Sequence, residues 1–338
     1  MSEGLRFDHL ERLSTPLGLY EHALGTTARI EHGFCVDDVA RALVVTSREP
    51  AASAEVRRLG DTYLSFVLAA QHDDGLMHNR RHADGAWIDT ASSDDHWGRA
   101  LWALGTAAAH LPDPVQAARA RHGAARAMRA RSRWPRAMAY AAVGAGQLLH
   151  ANPDDRAAIQ LLADARRVLG RVRAEMSWPW PEARLTYANA VLPEAMIVIG
   201  DHLDDTDLRA RGLSLLRWLA AEQTIDGRLS LVPSGGRSRA DSRPGYAQQP
   251  IEAAVLAEAA RTAYEATGDD RWTTVIAQCV AWFEGANDGA VAMCDASSGG
   301  GYDGLEAHGA SQNQGAESTL AWLSTLQVSR VPRVAAAR

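Results

Sequence analysis

Apolar residues three and four positions apart recur along almost the whole chain, the period of an α-helix packed on one face. The stretches that carry this period run over 7–23, 36–48, 54–71, 95–109, 114–130, 136–150, 154–174, 188–202, 207–222, 250–267, 270–284 and 316–327, which predicts twelve helices. They alternate in character. The stretch 154–170 is charged along one side, whereas 137–149 is apolar almost all round, so outer helices are expected to alternate with inner ones. Asp-Gly turns at Asp74, Asp226 and Asp288, each followed by a short extended piece, predict small hairpins capping one end.

The starts of the predicted inner helices align. Asp37 to Leu43 and Asp95 to Leu101 share D-x-x-x-R-A-L, and Arg136, Glu194, Glu252 and Glu317 fall where Arg41 and Arg99 stand, at a mean spacing of about 55 residues. This is a sixfold repeat of a helix pair. Inner helices this apolar need neighbours on every side, and neither end carries a polar capping repeat, so a closed ring is favoured over an open solenoid. The expected fold class is all-α: an (α/α)6 toroid of six helix pairs with short β-hairpins at one end, forming one domain over residues 1–338. The inner-helix N-termini and the loops before them then surround the mouth of a central cavity.

Composition narrows the function. The chain has 338 residues, 46% hydrophobic and 22% charged, with no apolar run near the roughly 20 residues a membrane span requires. No basic-then-apolar leader opens it, so a cytoplasmic location is expected. The net charge of −6 argues against nucleic acid as a partner. All basic residues are arginine; without lysine there is no Schiff base, phosphate-loop lysine or kinase lysine. Cys35, Cys279 and Cys294 are too few and scattered for a metal knot. The loop His72–His82 holds three histidines but reads as solvated, and neither a metal nor a cofactor is expected.

The aligned column Arg41, Arg99, Arg136, Glu194, Glu252, Glu317 places six charges on otherwise apolar helices, which either pair in a ring or line a wet cavity. One turn earlier stand Asp37, Asp95, Ser132, Ala190, Gln248 and Asn313, a lining suited to a hydroxyl-rich ligand. Asp37 and Asp38 open the first inner helix, either as a cap with an Asp37–Arg41 pair, or with Asp37 kept ionised to activate a water. Asp94 and Asp95 repeat the arrangement beside His96, Trp97 and Arg99. Glu252 follows Gln248, Gln249 and Pro250, and the Gly/Ser/Arg-rich stretch from Pro233 to Gly245 before it reads as a lid over a general acid. Glu317 is its chief rival, with Glu182 and Glu194 flanking the fourth tip. Trp87, Trp97, Trp134, Trp178 and Trp180, with Tyr187, Tyr246 and Tyr302, fall at tips and loops where an aromatic face can stack on a sugar ring. Paired carboxylates around a wet cavity with aromatic platforms point to glycosidic-bond hydrolysis of an oligo- or polysaccharide.

Two strings carry a family resemblance: His32-Gly-Phe-Cys-Val-Asp-Asp-Val-Ala-Arg-Ala-Leu43, and Gly299 to Leu305 followed by Asn313-Gln-Gly-Ala-Glu-Ser-Thr-Leu320. They resemble a bacterial family of helical-toroid, glycosidase-like proteins, and within it the mycobacterial hydrolases of methylmannose polysaccharide, endo-acting α-mannosidases. The resemblance runs from near residue 30 to near 325. It implies a substrate of α-1,4-linked, partly O-methylated mannose, cut internally by paired carboxylates matching Asp37 and Glu252, with inversion the usual outcome on this fold.

Two other classes stay open. A sugar epimerase on the same ring needs histidines as proton carriers, and only His96 lies near an inner tip. A non-catalytic glycan-binding protein would keep the aromatics without needing Asp37 or Glu252.

Overall fold

The computed structural model describes residues 5–170 and 178–330, and among them twelve α-helices alternate between two concentric layers. The inner layer consists of α2 (Val36–Ser47), α4 (Asp95–His110), α6 (Pro135–Ala151), α8 (Val191–His202), α10 (Pro250–Thr267) and α12 (Ala316–Arg330). Each packs on the next, and α12 packs back on α2, so the ring is closed. The outer layer holds α3 (Ala54–Ala69), α5 (Pro114–Ala127), α7 (Arg156–Leu169), α9 (Thr206–Glu222), α11 (Arg271–Phe283) and the short α1 (Asp8–Leu13), which leans on α12. The expected (α/α)6 toroid is what forms. No helix among the described residues is long and apolar enough to cross a membrane.

One predicted helix is mostly absent. Only Asp8–Leu13 of the stretch 7–23 is helical; Ser14–Thr15 then pairs with Gly18–Leu19, and Ala23–Leu24 with Thr27–Ala28. Pro16 disfavours the helical conformation at Thr15, and Gly18 sits at φ +148°, against Phe66, where a side chain would clash. The predicted extension of α7 over 171–174 lies outside the described residues. The Asp226-Gly227 hairpin forms, with Thr224–Ile225 against Arg228–Leu229 and positive φ at both turn residues. Asp74-Gly75 closes a single bridge, Gln71 to Met77. Asp288 makes no hairpin; its carboxylate accepts from Gln248 at 2.8 Å. Among the described residues, the five two-stranded pairs lie in segments entering inner helices, hence at one end of the toroid.

Glycine sets how closely the inner layer packs. On α4, Gly98 and Gly105 stand seven residues apart, facing Ala137 and Gly144 of α6 across the seam. A Cβ on Gly105 would lie 2.1 Å from the Gly144 carbonyl oxygen, and one on Gly144 2.3 Å from the Leu101 carbonyl oxygen, so these helices touch backbone to backbone.

Among the described residues, side-chain caps occur only in the outer layer, although α1 and α11 there also lack one. Ser53, Asp113, Asp155 and Asp205 cap α3, α5, α7 and α9 through their side chains. The inner helices α2, α4, α6, α8 and α10 have no side-chain cap. The N-terminal ends of these helices are gathered at the mouth, where their dipoles favour negative charge.

Candidate active site

Two neighbouring pockets, taken together as the two lobes of a candidate cleft, share Asp37 as a wall residue. The first lobe, about 640 Å³, runs past Asp94, Asp95, His96, Trp134, Arg136 and Tyr187. The second, about 390 Å³, runs past Asp38, Arg41, Arg99, Gln249, Asp303 and Glu317. A further hollow on the outside, between α3 and α5, is lined by residues such as Leu68, Val115 and His122 and has no carboxylate in its wall.

Asp37 is held from two sides. Arg99 Nη1 donates to its Oδ1 at 2.6 Å and Asn79 Nδ2 to its Oδ2 at 3.2 Å. Burial alone would raise its pKa, but the charges of Arg99, Arg41 and His96 outweigh that, leaving the carboxyl below its ordinary value. Its side chain remains 23% exposed. An ionised, reachable carboxylate in fixed orientation can take a proton from water. The expected Asp37–Arg41 pair is not what forms: Arg41 instead donates to Asp38 at 2.6 Å and bonds Glu317 at 2.8 Å. Burial pushes Asp38 up to about 7, with Arg41 opposing the rise and Glu317 and Glu21 adding to it.

Glu252 is 2% exposed and lies outside the walls of both lobes. Its carboxylate accepts from the Ala188 backbone N–H and, at 2.8 Å, from Asn189 Nδ2. Burial lifts its pKa to about 7 against the pull of those bonds and of Arg136. What covers it is the stretch 186–189, in which Ala188 takes φ +45° and Tyr187 reaches across to donate its hydroxyl to Asp95. Arg136 Nε donates to the Tyr187 carbonyl at 2.7 Å while its two Nη groups bond Glu182 at 2.7 Å. Glu252 therefore sits one layer behind the first lobe.

Glu194 does not share this level. It bonds Thr262, in the second half of α10, at 3.0 Å, and burial followed by the Glu258 charge raises it to about 8. Since Ala188 and Asn189 are the residues beside Glu252, the fourth repeat is out of register with the aligned column by several residues. Only Arg41 and Glu317 pair within that column; Arg99 and Arg136 take Asp37 and Glu182 instead.

The remaining sequence candidates divide. Trp134 (45% exposed) donates to Asp94 at 2.8 Å and, with Tyr187 (43% exposed), offers an aromatic face to the first lobe. His96 lines that lobe with Nε2 bonded to the Met77 carbonyl at 2.8 Å. Trp97 is fully buried and donates to the Ala127 carbonyl, so it packs the core rather than meeting a ligand. Trp178 donates to the Glu182 carbonyl at 2.8 Å and Trp180 stacks on Trp218, so both sit behind Glu182 rather than at the cleft. Gln248 is buried, bonding Leu231 N and Asp288. Asn313 accepts from Gly25 N at 3.0 Å, and Tyr302 packs against the core; neither lines a lobe. The stretch from Pro233 to Gly245 is pinned at its base by Arg237, buried and bonded to the Glu222 carbonyl at 2.9 Å.

Sequence reasoning missed Glu21, His22, Asn79, Arg80 and Asp303 as cleft residues. Glu21 and His22 fell inside the supposed helix 7–23; the Thr15-Pro16 step was the signal against it. Among the described residues, Glu21, Cys35 and Asp38 are the one group of three whose ligand atoms lie within 4.8 Å of one another. Guanidinium groups already occupy that neighbourhood: Arg80 bonds Glu21 and Arg41 bonds Asp38, each at 2.6 Å, while burial pushes the Cys35 thiol well up. The set is balanced by arginine rather than open to a cation.

No protein-family profile and no curated protein sequence matches the chain. Solved structures do. A sugar epimerase from a ruminal bacterium superimposes with a TM-score of 0.71 at 12% identity, covering 97% of this chain and 96% of that one. A D-mannose isomerase gives 0.67 at 10% identity over 95% and 94%. The GH76 α-mannanase of Bacteroides thetaiotaomicron gives 0.61 at 10% identity over 88% and 85%. At such identities the likeness speaks to architecture, and the chain shares the toroid fold of these proteins over most of its length.

Proposed function

We propose that the protein is a glycoside hydrolase that cuts α-mannosidic chains internally, α-1,4-linked and partly O-methylated, by a carboxylate pair with inversion. The observation that carries this reading is the position of Asp37: ionised, doubly held and partly exposed at the junction of two lobes. A chain laid through both lobes presents an internal linkage to it, which is what endo cleavage requires. Asp37 is the base: it takes a proton from water as the water oxygen bonds the anomeric carbon. Glu252, raised to about 7, is the acid that protonates the leaving oxygen as the C–O bond breaks. For Glu252 to reach that oxygen, the 186–189 stretch, Tyr187 included, must swing aside; Trp134 then offers its face to the sugar. The sequence strings resembling methylmannose polysaccharide hydrolases, and a structural neighbour described as an α-mannanase, support the substrate class.

Other neighbours, described as a sugar epimerase and a D-mannose isomerase, favour a second reading in which the cleft rearranges a terminal sugar. Incubation with methylated and unmethylated α-mannans, followed by reducing-end and chain-length analysis, separates the two. Hydrolysis yields new reducing ends on shorter chains, preferentially from the methylated polymer. Unchanged chain lengths with an altered terminal sugar would replace this proposal with the second.

A further inference from the structure

The loop after α3 turns tightly from His72 to Leu76, so that His72 and His78 become diagonal neighbours on one face of the Gln71–Met77 bridge. Their Nε2 atoms converge to 2.9 Å. His78 is fixed on its other sides: Nδ1 lies 3.2 Å from Asp89 Oδ1, and its ring stacks on Trp87 at 5.3 Å between centroids. Asp89 is itself anchored, accepting from the Asn79 backbone N–H at 2.6 Å. With Nδ1–H of His78 donating to the Asp89 carboxylate, the lone pair of His78 is left on Nε2, aimed at His72. This is the arrangement in which a carboxylate behind one imidazole orients it as a metal ligand.

We propose that His72 and His78 form a binding site for a divalent transition metal ion (Zn²⁺, Ni²⁺ or Cu²⁺) at the rim of the first lobe, each ligating through Nε2, with Asp89 orienting His78. Imidazole suits these ions over Mg²⁺ or Ca²⁺. Two Zn–N bonds of about 2.0–2.1 Å in tetrahedral arrangement set the nitrogens about 3.3 Å apart, so the rings need part by only a few tenths of an ångström. His72 is exposed and free to make that adjustment. On metal binding its proton shifts to Nδ1 and both Nε2 lone pairs go to the ion, with solvent completing the coordination. The site is separate from the proposed hydrolysis, whose carboxylates need no Lewis acid.

Calorimetric titration of the full chain with ZnCl₂ and NiSO₄ near neutral pH tests this, comparing wild type with His72→Gln, His78→Gln and, as control, His150→Gln at the distant His150–His202 contact. One equivalent is expected to bind wild type and the control alike, and at least about tenfold more weakly to each rim variant. Histidine nitrogen spectra should show the His72 and His78 Nε2 signals moving on zinc addition. Equal affinity in wild type and His72→Gln, loss only in the control, or no binding at millimolar metal would each overturn the proposal and leave a simple histidine–histidine hydrogen bond. Because His72 is exposed, its variant keeps the test valid even if His78→Gln fails to fold.

Discussion

Arg41 Nη2 lies 2.8 Å from Glu317 Oε2, so a residue of the first inner helix is bonded to a residue of the last. The sequence places these two 276 positions apart and the fold brings them together at the point where the ring closes. Arg41 also holds Asp38, which makes it the shared partner of two carboxylates in one lobe.

Removing the cation should therefore cost more than removing either acid. Arg41→Ala leaves Asp38 buried without its partner and is expected to lower stability by about 3–5 kcal/mol. Glu317→Gln, at a side chain 37% exposed, should cost about 1 kcal/mol or less. Denaturant unfolding of both variants checks the order; equal losses would show that Arg41 acts mainly through Glu317 rather than through Asp38.

Backbone contact between α4 and α6 leaves no room for a methyl group. Gly144→Ala should destabilise the protein by about 3 kcal/mol, because the Leu101 carbonyl oxygen cannot retreat without separating two helices. Gly235→Ala, where a Cβ meets nothing within 4 Å, is the matched control and should change the melting temperature little.

Glu194 gives the pH dependence of stability a definite sign. Its folded pKa of about 8 lies above the unfolded carboxyl value, so its favourable contribution is complete in acid and is lost as pH rises through about 8. Glu194→Gln removes the buried charge. Above pH 8 the variant should be more stable than wild type by on the order of 2–4 kcal/mol and melt correspondingly higher, and the advantage should vanish near pH 5. Thermal melts across that range check it; a variant less stable at high pH would mean that Glu194 is needed as a charge.

The ring was legible because burial on all sides writes itself into composition: 137–149 could only be an inner helix. The first outer helix was not, because Thr15-Pro16 and Gly18 break a stretch whose apolar spacing still looks helical. Asp37 stood out from its place at the start of the first inner helix. Asn79 and Arg80 did not, because they reach the cleft through bridges between loop segments, a long-range pairing with no local period. The misregister of Glu194 has a similar cause: repeat alignment counts residues, whereas α8 takes its level from the Ala188–Glu252 bond before its first turn.

In the proposed mechanism Asp37 directs water onto a glycosidic carbon. Mass spectrometry of products formed from an α-mannan oligosaccharide in oxygen-18 water tests it most directly, comparing wild type with Asp37→Asn. Wild type should give shorter chains carrying one heavy oxygen at each new reducing end. Asp37→Asn should fold normally and form those products about 100- to 10,000-fold more slowly. Products of unchanged chain length, or an Asp37→Asn variant that still cleaves at the wild-type rate, would show that Asp37 is not that base.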